Sequence, residues 1–107
     1  MTNPWRGEVS LTIDGVPRVL KLTLGALAAL EARLETGSLV ALVERFEAGG
    51  FSSADVLALI HAGLAGGGEA MPEQALAHAD IEGGPLAAAR AAAELLRRAF
   101  VVPGAET

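Results

Sequence analysis

The sequence predicts an α+β protein, an N-terminal β-hairpin packed on a small bundle of four to five short helices. Two alternating runs near the start indicate the strands, and apolar residues at helical spacing fill the rest. Glycine and proline separate the pieces. At 107 residues the chain has room for one domain, since chains of this size bury about two-thirds of their unfolded surface around a single core. The predicted organisation is an arm over 1–7, the hairpin over 8–24, three short helices over 25–65, a glycine-rich connector with a short helix over 66–84, a C-terminal helix over 85–102 and a tail over 103–107.

In the hairpin, Val9, Leu11 and Ile13 alternate with Glu8, Ser10 and Thr12, and Leu20, Leu22 and Leu24 alternate with Val19, Lys21 and Thr23. Each set marks one buried face. Asp14-Gly15 supplies the turn. A two-residue loop sets Val9 opposite Leu20, whereas a four-residue loop through Val16 and Pro17 sets it opposite Leu22. The longer loop is preferred because it matches three leucines to three apolar residues and keeps Pro17 out of the ladder.

The first helix runs from about Leu24 to Thr36, with Leu27, Leu30 and Leu34 on one face and Gly37 as its C-terminal cap. A second starts after Ser38, carries Leu39, Leu42, Val43 and Phe46 at i, i+3, i+4 and i+7, and stops at Gly49-Gly50. Ser52 and Asp55 form a capping-box pattern for the third, with Phe51 placed to pack on Val56 and with Leu57, Ile60 and Leu64 turned inward. The stretch "GLAGGGEAMPEQALAHADIEGG", residues 63 to 84, reads as a flexible connector holding one helical turn near Pro72. From Pro85 the last helix sets Leu86, Ala89, Ala93, Leu96 and Phe100 on one stripe, with Arg90, Glu94 and Arg98 four apart on another face; Pro103-Gly104 ends it.

Composition excludes several classes of function. A net charge of −5 argues against nucleic acid, whose phosphates demand clustered Lys and Arg. The absence of cysteine removes disulfides and thiolate metal sites. The polar opening "MTNPWRGE" lacks the apolar core of a signal peptide, and charged residues break every apolar run short of the ~20 residues that cross a bilayer. The expectation is a soluble cytoplasmic protein whose partners are proteins, with neither nucleic acid nor membrane among them.

Reactive groups are sparse. "GLAGGG" follows a helix and has no nearby Lys, so it lacks the setting of a phosphate loop. His61 and His78 stand too far apart for a local metal pair, Glu31 and Glu35 share a solvated helix face, and Ser38 and Ser52 occupy cap positions. No catalytic, cofactor-binding or metal-binding residue is predicted, and an enzyme is not expected.

Trp5 is the sole tryptophan and lies outside the periodic elements. It either folds over the hairpin or a helix end, or anchors a partner, as buried tryptophans often do at interfaces. The candidate partner contacts are Trp5 and Arg6 in the arm and Glu8, Asp14 and Arg18 along the hairpin. A two-stranded ribbon is marginal alone, so its apolar face must lie on the helices, while its two outer edges are open to a partner strand or a second copy.

The string "RGEVSLTIDGVPRVLKLTLGALAALEARL" resembles a small protein family of the tail gene cluster of bacterial gene transfer agents and related prophages. The recurring elements are Arg6-Gly7-Glu8, Ile13-Asp14-Gly15, Leu22-Thr23-Leu24-Gly25-Ala26-Leu27 and Leu30-Glu31. With "SLVALVERFEAGGFSSADVLALI" the resemblance spans roughly residues 4 to 64, and no catalytic motif lies within it. It implies either a tail tube component of the particle or a tail assembly chaperone that binds the tape-measure and tail tube proteins in the cytoplasm. Because a tube subunit must supply several strands to a continuous barrel and this chain offers two, the chaperone is the expected role.

Overall fold

The computed structural model describes residues 7–33 and 39–100. Two strands, β1 (Val9–Ile13) and β2 (Val16–Leu20), are followed by five helices: α1 (Leu24–Arg33), α2 (Leu39–Ala48), α3 (Ser53–Gly66), α4 (Glu73–Ala77) and α5 (Gly84–Ala99). The strands form an antiparallel pair whose apolar face lies on α3 and α5, as the α+β reading requires. Among the described residues no helix is long and apolar enough to cross a membrane.

The register corrects the loop preference. Val9 pairs with Leu20 and Ile13 with Val16, so Asp14 and Gly15 alone form the turn. Both have positive φ, 52° and 77°, the geometry of a type I′ turn, which an Asp-Gly pair tolerates and whose twist suits a two-residue hairpin. Pro17 sits in the ladder opposite Thr12 at no cost. Hydrogen-bonded pairs alternate along antiparallel strands, and from the closing Ile13–Val16 pair the missing N–H of Pro17 falls on the outer side.

The second strand is also shorter than its alternation suggests. Leu20 and Leu22 are buried, but Leu24 is 84% exposed and opens α1. Thr23, expected as a strand residue, ends the extended run instead, because its hydroxyl accepts the Ala26 N–H at 3.1 Å and caps the helix. In α1, Ala26 and Leu30 are buried; Leu34, Thr36, Gly37 and Ser38 lie outside the described residues.

The α3 cap follows the sequence closely. Ser52 Oγ accepts the Asp55 N–H at 3.1 Å and Asp55 Oδ2 accepts the Ser52 N–H at 2.9 Å. Helix α5 has its phase corrected: Ala88, Ala91, Ala92, Leu95 and Leu96 are buried, whereas Leu86 is 61% and Phe100 48% exposed. Large side chains set the expected stripe, but Leu20, α3 and α5 meet closely around Gly63, where a Cβ would stand 2.9 Å from Leu95 Cδ1. Such close packing favours the alanine face. Glu94 of this helix pairs with both Arg97 and Arg98.

Candidate functional site

The connector is a structural strap. Gly63, Gly66 and Gly67 fall at i, i+3 and i+4, on one side of the end of α3, and that side lies along β2. A Cβ on Gly66 would come within 1.9 Å of the Lys21 carbonyl oxygen, and one on Gly67 within 2.1 Å of that of Val19. Hydrogen bonds use the same proximity: Lys21 N–H donates to the Gly63 carbonyl at 2.9 Å, and Val19 N–H donates to Glu69 Oε2 at 2.8 Å. The outer edge of β2 is thereby closed from within the chain.

The segment after α4 treats β1 alike. Asp14 N–H donates to the Asp80 carbonyl at 2.7 Å, Asp80 N–H to Asp14 Oδ1 at 2.8 Å, and Glu82 N–H to the Thr12 carbonyl at 3.0 Å, around an Ile13–Ile81 bridge. Residues 80–82 thus act as a fragment of third strand. Both edges expected to be open carry intrachain partners toward one end, at Thr12 and Asp14 on the β1 side and at Val19 and Lys21 on the β2 side. A flexible connector was expected because the glycines read as lost order, and open edges because a two-stranded ribbon leaves one on each side; the spacing of the glycines as a helix-face triplet is the signal that reveals close packing instead.

These contacts place the candidate partner residues. Trp5 and Arg6 lie outside the described residues. Glu8 precedes β1 and is half-buried. Asp14 is engaged with Asp80. Arg18 stands opposite Leu11, on the face that packs on the helices, and its guanidinium reaches Glu69 Oε1 at 3.4 Å. The structure therefore gives Asp14 and Arg18 roles in holding the hairpin.

Other polar groups are likewise engaged. Arg33 pairs with Glu73 at 2.7 Å and approaches His61 Nδ1 at 3.2 Å. Arg45 holds Asp55 with two bonds, of 3.0 and 2.9 Å. Those bonds, chiefly, hold the Asp55 carboxyl below its ordinary range against the opposing effect of burial, and the Ser52 N–H adds to the lowering. No group of three His, Cys, Asp or Glu able to hold a metal occurs among the described residues.

Among the described residues, grooves with apolar walls lie between the helices. A groove of about 550 Å³ lies between α3, α4 and the start of α5, walled by Val56, Leu57 and Ile60 on one side and Ile81, Ala88 and Ala89 on the other. Phe51 lines its end while stacking on Phe46, with centroids 4.5 Å apart and planes 6° from parallel. A second groove, of about 570 Å³, runs between α2 and α5 past Val43, Phe46 and Leu96. Sequence reasoning missed both grooves, since each depends on how helices distant in sequence are set apart.

Residues 6–101 match the sequence family described as phage tail tube protein, GTA-gp10. This chain belongs to that family. The match reaches beyond the roughly 4–64 span of the recognisable motifs and takes in the strap and α5, the parts that close the hairpin edges. No curated protein and no solved structure matches the chain. Membership associates the protein with the tail of phage-like particles, gene transfer agents among them, and brings no catalytic residue with it.

Proposed function

We propose that this chain is a non-catalytic tail assembly chaperone, which binds the tape-measure protein and helps tail tube protein gather around it. The observation that carries this reading is the closed hairpin. Tube rings require strands that continue into a shared barrel, and an edge already bonded to its own chain has little left to offer a neighbouring strand. Here Glu69, Gly63 and residues 80–82 occupy edge groups that a barrel would need. The exposed apolar grooves suit the masking of a tape-measure helix until tube protein displaces the chaperone. Such contacts work best when they are several and individually weak.

A second reading, a structural component of the tail tube, is favoured by the family's own description. Co-expression of the tagged protein with the tape-measure and tube proteins of its locus separates the two. The chaperone reading expects tape-measure protein to be retained and the bait to be missing from purified particles. Stoichiometric bait within particles would overturn it.

A further inference from the structure

We propose that the groove between α3, α4 and α5 seats an amphipathic helix bearing basic residues beside its apolar stripe. The inference rests on the assembly reading and assigns the docking surface and the chemistry of its occupant. On the α3 wall, Ser53, Val56, Leu57 and Ile60 follow i, i+3, i+4 and i+7 and so present two helical turns. Across from them, Ala88 and Ala89 have side chains small enough for a third helix to approach closely. A surface of this form takes a helix by its apolar stripe.

Charge identifies the occupant further. Among the described residues that line the groove, Asp80 is the sole charged one; it is exposed, and its carboxylate has no hydrogen bond or ion pair within that set. Glu82, two residues on, is exposed as well. Among the described residues no Lys or Arg lines the groove to answer them. A carboxylate in a largely apolar groove, with a second one two residues on in the chain, selects for Lys or Arg on what docks there. The groove beside α2 differs in carrying a cation of its own: Arg97 lines it together with Glu47 and Glu94, and Glu94 is paired with Arg97 and Arg98.

The test is a titration of the isotopically labelled full chain with a peptide of about 14 residues, leucine on one helical stripe and lysine elsewhere, and with its leucine–glutamate counterpart. The lysine peptide is expected to shift amides around Leu57, Ile81 and Ala89 and to bind more tightly than the glutamate peptide. Joint Asp80→Lys and Glu82→Lys substitution should weaken it about threefold to tenfold. Joint Glu31→Lys and Glu44→Lys substitution, which alters net charge equally on other surfaces, should not. Ala89→Arg, with its fold checked by circular dichroism, should abolish binding by filling the groove.

Equal weakening by both charge pairs, shifts centred on Val43 and Leu96, or movement of the groove amides on deletion of residues 1–6 would each overturn the inference. Retention of tape-measure protein by the Ala89→Arg chain at the native level would do the same and leave the assembly reading standing. Failure of the native chain to retain tape-measure protein would sink the assembly reading, while the peptide titration still decides the groove.

Discussion

The seam between the hairpin and α3 and the attachment of α2 are held by opposite means. At the seam, backbone meets backbone: Lys21 N–H bonds to Gly63, and the glycines at 66 and 67 leave no space for a side chain. Helix α2 is attached through the fully buried Leu42, the Arg45–Asp55 pair and the Phe46–Phe51 stack. Contacts between backbones tolerate almost no displacement, whereas side-chain contacts can be lost singly while the rest of the molecule stays in place. The seam should therefore fail globally and α2 locally.

The largest effect should come from Gly66→Ala. Its Cβ would lie 1.9 Å from a backbone oxygen that cannot rotate away, so a loss exceeding about 3 kcal/mol, or failure to fold, is expected in urea denaturation. A near-native midpoint would mean that the seam is not tight. Leu42→Ala should cost about 2–5 kcal/mol at its site, and hydrogen exchange should locate the loss in α2 while hairpin amides stay protected. Uniform loss of protection would erase the distinction between the two regions.

Asp55→Asn should cost about 1–3 kcal/mol at neutral pH by removing a charge-assisted pair. The sign of its pH dependence follows from the lowered folded-state pKa. The stabilisation is present above the unfolded value of 3.8 and disappears as pH falls through the folded value, so native and variant stabilities should converge in acid. A gap that persists in strong acid would show that charge was not its source. Asp14→Asn should be the mildest change, within about 0.5 kcal/mol, because Asn-Gly supports the same turn and the Asn oxygen can still accept the Asp80 N–H. A larger loss in thermal denaturation would show that the carboxylate charge itself holds the strap.

Periodicity and local chemistry determined the elements: the strands from alternation, α2 from its stripe, the start of α3 from Ser52 and Asp55, and the turn location from Asp14-Gly15. Each depends on residues a few positions apart, so the sequence carries it directly. Family membership was legible in the motifs between Arg6 and Glu31. Only the tertiary structure decided the register, which turned on where the missing N–H of Pro17 would point, and the phase of α5, where alanines on several faces left the large residues to mislead. It alone converted an apparent linker into a strap, because the worth of Gly63, Gly66 and Gly67 depends on a strand more than forty residues earlier in the chain. The docking groove belongs to the same class: its walls come from separate helices, and the space between them is a property of their packing.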